Sequence, residues 1–301
     1  MSLTIILIFS LFISESIGVP YEKYLLDSTT LQGELNWEKA AYGDSNELPG
    51  WKEQSFSQKN GDVWRVHFVC DIASSNPNNW LRLPYIPREE ANRLVIKLEY
   101  TIRECKKYPG EIRSCKETFQ LLYVESDGEN DAENGPPAFT EANYKYLKTI
   151  APNSVSSSSL LAPSSSTVST TQSFSSSTSS SSAIFKTEVD LPLRTQKKGV
   201  YIVFRDQGAC VSLLSIKVYY TLCSMQIFNL VVFPKTPTGS NVTDLVQRVG
   251  HCVENADSKI TPYAYCQTNG NWFITNDNGE NSMCVCRAGY FYAPETSQCL
   301  G

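Results

Sequence analysis

Hydrophobic and polar residues alternate with a period of two over much of the first two thirds of the chain. The clearest stretch is 93–105, in which apolar side chains take every second position: Leu94, Ile96, Leu98, Tyr100 and Ile102. Successive side chains of a β-strand point to opposite faces, so this pattern predicts a half-buried antiparallel strand. The opposite face carries Arg93, Lys97, Glu99, Thr101 and Arg103. A shift of one residue would turn the apolar row outward, so the register is well specified.

Other segments read in the same way. β-branched and aromatic residues are concentrated in four of them, 63–70, 118–125, 199–204 and 212–220, as is typical of strands. Turn-forming residues lie between them, for example at 60–62 and 127–128. No long helical period is present. Many short antiparallel strands without helices predict an all-β sandwich or jelly roll.

Two segments differ from this pattern. Residues 1–18 combine an apolar run at 3–13 with small residues at Ser16 and Gly18, which predicts a secretory signal peptide cleaved after Gly18. The run lacks a preceding Lys or Arg, and the alternative is a buried N-terminal strand or helix. Residues 154–182 are nearly all Ser and Thr, which predicts a disordered insertion in one surface loop, in preference to an interdomain linker. Such stretches are often O-glycosylated.

The ten cysteines are even in number and, in a secreted chain, indicate disulfides. The alternative, a zinc site, needs paired ligands two to four residues apart. Cys284 and Cys286 are the closest pair, and one intervening residue is too few. We therefore expect no metal and no cofactor. After Cys223 the cysteines become denser, which predicts a small region held together by disulfides.

The amino-acid composition and the net charge limit the classes of molecule that the chain could bind. A hydrophobic content of 41% fits a globular core, and a net charge of −5 argues against sequence-independent nucleic-acid binding. Beyond the N-terminus no stretch is long and apolar enough to span a bilayer. Asn241-Val242-Thr243 is an N-glycosylation sequon and predicts a surface site.

The sequence gives little support to catalysis. It contains two histidines, His67 and His251, and His67 falls within a predicted strand. No glycine-rich phosphate loop, HExxH motif or nucleophile elbow is present, so we expect no enzyme activity. A carbohydrate-binding jelly roll is the competing interpretation, with Trp37, Trp51 and Trp80 as possible stacking platforms.

Several blocks together resemble the ligand-binding domain of Eph receptors. They are Glu34-Leu35-Asn36-Trp37, Asn78-Asn79-Trp80-Leu81-Arg82, Arg103-Glu104-Cys105 with Ser114-Cys115-Lys116-Glu117-Thr118-Phe119, Leu147-Lys148-Thr149-Ile150-Ala151-Pro152, and Phe204-Arg205-Asp206-Gln207-Gly208-Ala209-Cys210-Val211-Ser212-Leu213-Leu214. They follow the family's order over residues 26–223, apart from the Ser-rich insertion. The cysteines from Cys223 to Cys284 resemble the family's sushi module. The segment 284–290 resembles the start of its EGF-like repeat.

This resemblance implies an organisation and a disulfide pattern. Residues 24–223 would form an ephrin-binding jelly-roll domain, 224–285 a sushi-like module and 286–301 a truncated EGF-like module. The implied pairs are Cys70–Cys210, Cys105–Cys115, Cys223–Cys266, Cys252–Cys284 and Cys286–Cys299. Cysteine spacing by itself leaves the other pairings open.

The resemblance also implies a function. The chain would be the extracellular part of a plasma-membrane receptor tyrosine kinase that binds an ephrin on an opposing cell, in contact-dependent signalling such as axon guidance and cell positioning. The kinase motifs are not in this chain. Receptors would cluster through the sushi-like region, and a chain that ended naturally at Gly301 would act as a soluble decoy.

In the family, an apolar loop of the ephrin enters a channel on the sandwich. Carried over residue by residue, the channel here would be lined by Val69, Cys70, Asp71, Ile72, Thr101, Arg103, Tyr108, Gly208, Ala209 and Cys210. Arg103 would meet a carboxylate of the inserted loop, because a guanidinium is always charged and offers two parallel donors. Tyr108 would supply a rigid aromatic contact. The alternatives are a solvated surface charge for Arg103 and core positions for Val69 and Ile72.

Overall fold

The structure, a computed structural model, describes residues 21–43, 50–57, 61–108, 110, 112–128, 135–152, 183–274 and 284–301. The predicted signal peptide and the predicted Ser-rich insertion lie outside these residues. The chain divides into two compact units, a large unit of residues 22–220 and a small unit that contains residues 221–301.

The large unit consists of β-strands. In chain order they are β1 (Tyr21–Asp27), β2 (Glu38–Tyr42), β3 (Lys52–Ser57), β4 (Val63–Cys70), β5 (Asn78–Arg82), β6 (Ile86–Pro87), β7 (Arg93–Ile102), β8 (Phe119–Ser126), β9 (Lys145–Ile150), β10 (Phe185–Pro192), β11 (Gly199–Asp206) and β12 (Cys210–Cys223). Among the described residues, the helical structure is confined to a 3-10 helix at Cys105–Lys107.

The strands of the large unit form two antiparallel sheets. The first sheet has the order β10-β7-β12-β4-β3, with β1 also paired to β12. The second sheet has the order β2-β5-β11-β8-β9, with β6 also paired to β11. Strands adjacent in the sheets are mostly distant in sequence, so the pairing is non-local. The prediction of an all-β jelly-roll sandwich is confirmed.

The core of the large unit lies between the two sheets. Tyr100 of β7 packs edge-on against Phe119 at a centroid distance of 5.4 Å, and Phe119 packs against Phe204 of β11 at 6.2 Å. All three side chains are almost fully buried. Because aromatic side chains bury large apolar areas and favour tilted contacts, this column fixes how the sheets face each other.

Strand β7 follows the predicted alternation with two differences. The strand ends at Ile102, so Arg103 lies just beyond it. At the other end, Arg93 and Val95 belong to the predicted polar face but are 8% exposed. The neighbouring strands explain this burial, because Asp190 of β10 forms an ion pair with Arg93 at 3.0 Å and Tyr219 of β12 lies opposite Val95. A central strand therefore has less exposed surface than its own sequence predicts.

The small unit has much shorter strands. They are β13 (Gln226–Phe228), β14 (Val231–Phe233), β15 (Thr236–Pro237), β16 (Val246–Val249), β17 (His251–Cys252), β18 (Ala256–Asp257), β19 (Tyr263–Cys266), β20 (Trp272–Phe273), β21 (Val285–Cys286), β22 (Phe291–Ala293) and β23 (Gln298–Leu300). A small core surrounds Leu230, Val231 and Phe233, and includes the buried Cys284 and Cys299.

Five disulfides link all ten cysteines. Two lie in the large unit, Cys70–Cys210 and Cys105–Cys115, and three in the small unit, Cys223–Cys266, Cys252–Cys284 and Cys286–Cys299. These are the pairs that the resemblance implies. No cysteine is free.

Candidate ligand-binding site

The centre of the candidate site is the Cys70–Cys210 disulfide. It joins directly opposed residues at the ends of β4 and β12 in the first sheet. On the other side of β12, the Arg103 backbone N–H donates a hydrogen bond to the Cys210 carbonyl oxygen at 3.0 Å. The disulfide therefore fixes β4 to β12, and β12 fixes the position at which Arg103 leaves β7.

Strand register extends this site into a row across the sheet. Thr101 lies opposite Ser212, Ser212 opposite Phe68, and Phe68 opposite Lys52. Opposed residues of antiparallel strands point to the same face. The row is half-buried or exposed, whereas Val69 and Ile102 on the other face are buried. Thr101 is thus on the outward face of the first sheet.

Sequence reasoning missed Phe68, Ser212 and Lys52 as members of this row. The signal for Phe68 was available, because β4 alternates and Phe68 has the same parity as Cys70. Ser212 and Lys52 depend on cross-strand register, which the alternation of one strand does not give.

Arg103 and Tyr108 form a pair beside the disulfide. The Arg103 guanidinium lies 5.4 Å from the centre of the Tyr108 ring, within the range of a cation–π interaction. The Tyr108 hydroxyl donates to Cys70 Sγ at 3.0 Å. The half-buried ring of Tyr108 therefore bridges the exposed guanidinium and the disulfide. We name the surface made by Arg103, Tyr108, Thr101, Phe68 and the Cys70–Cys210 disulfide the Arg103 surface.

The short loop between Arg103 and Tyr108 holds these two residues in position. The 3-10 helix Cys105–Lys107 connects Arg103 to Tyr108, and the Tyr108 backbone N–H donates to the Cys105 carbonyl oxygen at 3.3 Å. The Glu117 carboxylate accepts the Cys105 N–H at 2.9 Å. Together with the Cys105–Cys115 disulfide, these contacts hold both ends of the loop.

The other predicted lining residues lie beneath the surface. Val69, Asp71, Ile72, Gly208 and Ala209 are all buried. The Ile72 carbonyl oxygen accepts hydrogen bonds from the N–H groups of Arg113 and Ser114, each at 3.0 Å. These five residues form the floor on which the exposed groups stand, and the half-buried Cys70 and Cys210 connect the two levels.

Two buried carboxyl groups support that floor. Asp206 accepts hydrogen bonds from the N–H groups of Ala209 at 2.6 Å and Gly208 at 3.2 Å. The Asn79 side-chain amide donates both to Asp206 at 3.1 Å and to Asp71 at 2.8 Å. One asparagine thus ties the residue after Cys70 to the loop that precedes Cys210.

Burial is the largest influence on these carboxyl groups. It raises the pKa of Asp71 and of Asp206 above the ordinary aspartate value, against the hydrogen bonds from Asn79 and the backbone, which lower the pKa. The negative charge of Asp71 also raises the pKa of Asp206. The hydrogen bonds from Asn79 and the backbone therefore hold both carboxyl groups in place beneath the Arg103 surface, although burial disfavours their charged forms.

The tryptophans do not form a stacking platform. Trp37, Trp51 and Trp80 are 4%, 3% and 1% exposed, and the indole N–H of Trp51 donates to the Asn79 carbonyl oxygen at 3.3 Å. The carbohydrate interpretation based on these residues therefore lacks its binding surface.

Within the described ranges, no three His, Cys, Asp or Glu side chains are grouped so that they could hold a metal ion. The same residues contain no helix with the length and hydropathy of a membrane span.

Asn241 lies in the small unit on an exposed turn. Its side-chain amide donates to the Asp244 carboxylate at 3.1 Å, and its backbone N–H donates to the same group at 2.8 Å. The sequon is therefore accessible.

Comparison with known families adds two matches. Residues 23–223 match the ephrin receptor ligand binding domain, and residues 225–286 match the ephrin cysteine rich domain. The first match covers the large unit together with the end of β12.

Individual relatives give the same result. Ephrin type-A receptor 4-B of Xenopus laevis is 35% identical over 89% of this chain and 24% of its own length. Ephrin type-A receptor 7 of Gallus gallus is 34% identical over 93% of this chain and 25% of its own length. Ephrin type-B receptor 3 of Xenopus laevis is 34% identical over 92% of this chain and 25% of its own length. The chain spans about a quarter of the length of these relatives.

Proposed function

The chain belongs to the Eph receptor family, as an extracellular ligand-binding domain followed by a cysteine-rich domain, and from this premise we propose that the Arg103 surface binds an ephrin carried by another cell. The observation that carries the proposal is an exposed arginine, held against a tyrosine and a disulfide, on a domain that matches the ligand-binding family over its whole length.

Arg103 provides the charge for this contact. Within the described part of the chain, its guanidinium has the Tyr108 ring as its neighbour and no carboxylate in salt-bridge range. A guanidinium with free donors can bind a ligand carboxylate through two parallel hydrogen bonds. We propose that an acidic side chain of the ephrin occupies this position.

The other residues of the Arg103 surface provide apolar contacts and a rigid floor for the ligand. The rings of Tyr108 and Phe68 offer aromatic contact to an apolar ligand loop, and Thr101 and Ser212 contribute small side chains to the same face of the sheet. The disulfide and the Asn79 network hold the floor in one arrangement before the ligand arrives. A preorganised surface loses less conformational entropy on binding, which favours affinity.

The test is the substitution Arg103→Glu in the full chain, measured against a panel of immobilised ephrins. We expect saturable binding by the unaltered chain and at least roughly tenfold weaker binding by the variant, since a charge-assisted hydrogen bond is lost and a like charge is introduced. Arg194→Glu is the matched control. Arg194 is exposed and follows β10 at the end opposite to Arg103, so the same charge change there should leave ephrin binding intact.

Circular dichroism separates loss of contact from loss of fold. Equal binding by Arg103→Glu and the unaltered chain would move the ephrin site away from the Arg103 surface while keeping the family assignment. Absence of binding to every ephrin by the folded, unaltered chain would contradict ephrin binding itself.

Further aspects of the proposal concern the whole receptor. We propose that residues 1–18 direct secretion, that Asn241 carries an N-linked glycan, and that the jelly-roll domain 24–223 is followed by a sushi-like module 224–285 and the start of an EGF-like module 286–301. The sushi-like region would contribute to receptor clustering. The complete protein would be a plasma-membrane tyrosine kinase acting in contact-dependent signalling, such as axon guidance.

A further inference from the structure

A polar cleft opens at one end of the second sheet of the large unit. It lies between the end of β2, the start of β5 and the loop that follows β11, and it has a volume of about 400 Å³. Tyr42, Asn76, Asn78, Ser114, Lys116 and Gln207 contribute to its lining. We name it the Lys116 cleft. It shares no lining residue with the Arg103 surface.

Close packing builds the wall of the cleft. Gly208 has a φ of +105°, and a Cβ added there would lie 2.3 Å from Ser114 Oγ. The Lys116 N–H donates to the Gly208 carbonyl oxygen at 2.8 Å. Glycine is therefore required both by the backbone conformation and by the approach of Ser114. The segment that carries Lys116 is fixed against the loop that carries Gln207.

Arg205 also borders the cleft, but its positive charge is already paired with the Glu141 carboxylate. Its Nη2 contacts the Glu141 carboxylate at 2.7 Å, and its Nε donates to Asn78 Oδ1 at 2.7 Å. The guanidinium lies 4.9 Å from the centre of the Trp80 ring, which is buried. Arg205 therefore supports the wall and holds the amide of Asn78, while Glu141 balances its charge.

Lys116 supplies the uncompensated charge. The residue is exposed, and its Nζ donates to the neutral Gln207 Oε1 at 3.3 Å. The described lining residues include no aspartate or glutamate. Since an ammonium has three donors, Lys116 keeps hydrogen-bonding capacity for an anion after its contact with Gln207. The cleft is thus positive, although the chain as a whole carries a net charge of −5.

The remaining groups suit a particular kind of anion. The side chains of Asn76, Asn78 and Gln207 each combine donors with an acceptor, as do the hydroxyls of Ser75 and Ser114. The Tyr42 side chain is 49% exposed at the rim and offers an apolar ring face. Mixed donors and acceptors match the hydroxyl groups of a sugar, and an exposed aromatic ring can pack against its C–H face.

We propose that the Lys116 cleft binds an anionic sugar, one that carries a single carboxylate or sulfate group. The charged group meets the Lys116 ammonium, the amide and hydroxyl side chains bind the ring hydroxyls, and the Tyr42 ring packs against the sugar. This site is separate from the proposed ephrin site and does not depend on it.

The experiment uses the full chain and three probes that share one core: lactose, 3′-sulfated lactose and 3′-sialyllactose. Binding is measured by ligand-observed NMR titration. We expect both anionic sugars to bind more tightly than lactose, and the stronger of the two identifies the preferred anion. In Lys116→Glu, binding of the anionic sugars should weaken at least about tenfold, because an attractive charge becomes a repulsive one.

Two controls make the result specific. Lys198 is exposed and precedes β11, at the opposite end of that strand from Arg205, so Lys198→Glu should leave sugar binding unchanged. Arg103→Glu should also leave it unchanged, which separates this test from the ephrin test. Lactose binding as tight as that of both anionic sugars, or equal losses in Lys116→Glu and Lys198→Glu, would overturn the proposal.

Discussion

The two units of the chain are stabilised in different ways. The large unit has strands of eight to fourteen residues in its central positions and a core of large aromatic and aliphatic side chains. The small unit has strands of two to four residues, and side chains such as Met225, Val285 and Phe291 are more than 60% exposed. A short chain buries a smaller share of its apolar surface on folding than a long chain does.

The disulfides are distributed as this difference in core size predicts, with more of them in the small unit. In the small unit three of them hold a core centred on Leu230, Val231 and Phe233. In the large unit the two disulfides lie at the Arg103 surface and its supporting loop, away from the aromatic column. We infer that the small unit needs its disulfides to stay folded, whereas the large unit uses its disulfides mainly to set local geometry. The following experiments test this distinction.

The largest effect is expected from removing Cys252–Cys284 by the double substitution Cys252→Ser and Cys284→Ser. The pair is separated by 32 residues, and the loop-entropy estimate for such a crosslink is roughly 4 kcal/mol. Because the core of the small unit is limited, we expect this unit to unfold and become sensitive to limited proteolysis.

The double substitution Cys105→Ser and Cys115→Ser is the comparison. Its loop is 10 residues, worth roughly 3 kcal/mol by the same estimate, yet the large unit should stay folded on its core. Proteolysis of the large unit before the small one in these two variants would contradict the distinction between the units.

A smaller loss is expected from Leu98→Ala in the core of the large unit. Leu98 is 0% exposed in the centre of β7, and such truncations cost about 2–5 kcal/mol through lost burial and a residual cavity. Chemical denaturation should show a lower midpoint for the large unit. Leu98→Met conserves volume and should cost less than about 1.5 kcal/mol. Equal costs for the two variants would mean that packing at Leu98 is not what stabilises this unit.

The next effect depends on pH and belongs to the large unit. His67 is buried, and its ring stacks on Trp37 at a centroid distance of 4.8 Å. Burial lowers the pKa of His67 from 6.5 to about 4, although the nearby Glu53 carboxylate raises it. The folded state therefore favours the neutral ring, so this contribution to stability is present above pH 6.5 and is lost as the pH falls towards 4.

His67→Gln removes that contribution while keeping a polar side chain. Between about pH 7 and about pH 4.5, the unaltered chain should lose roughly 2 kcal/mol more stability than the variant. The raised pKa values of Asp71 and Asp206 act in the opposite direction, but they are common to both proteins and cancel in the difference. Parallel stability curves for the two proteins, measured by urea denaturation at each pH, would show that His67 does not titrate as described.

The smallest effect on stability is expected from Thr243→Ala in the small unit. This change destroys the sequon but keeps the contacts of Asn241 with Asp244. Thr243 is exposed, so the free energy of unfolding should change by less than about 0.5 kcal/mol. If the proposed glycan is attached to Asn241, the mass of the protein expressed in a secreting cell should fall by one N-linked glycan. Thr243→Ser preserves the sequon and should keep the glycan. Masses that differ only by the substituted residue would show that Asn241 is not glycosylated.

Much of the large unit could be predicted from the alternation of residues. Strand β4 begins and ends at the predicted residues, and the inward face of β7 is as predicted, because both patterns are local. The positions of Arg103 and Thr101 outside the core also followed from that alternation. The family resemblance supplied what alternation could not, above all the disulfide pairs.

The parts that could not be predicted depend on contacts between distant segments. Asn79 bridges Asp71 and Asp206, which are 135 residues apart in sequence (206 − 71), and no local pattern indicates this. The burial of Asp71 and Ile72 beneath the Arg103 surface has the same origin. The Lys116 cleft combines side chains from β2, from the loop before β5, from the segment around Cys115 and from the end of β11, so it exists only once these strands of the second sheet are assembled.

The wide separation of Cys70 and Cys210 has a consequence for biosynthesis. Cys70 and Cys210 are 140 residues apart in sequence, whereas Cys105 and Cys115 are 10 residues apart. A chain that emerges from the ribosome N-terminus first makes Cys105 and Cys115 available together. Cys70 must stay reduced until β12 has been synthesised, or it must exchange away from a wrong partner. Thiol–disulfide exchange in the secretory pathway is slow compared with strand pairing. We therefore expect the Arg103 surface to be the last part of the large unit to mature, because its central disulfide closes only after β12 has been synthesised.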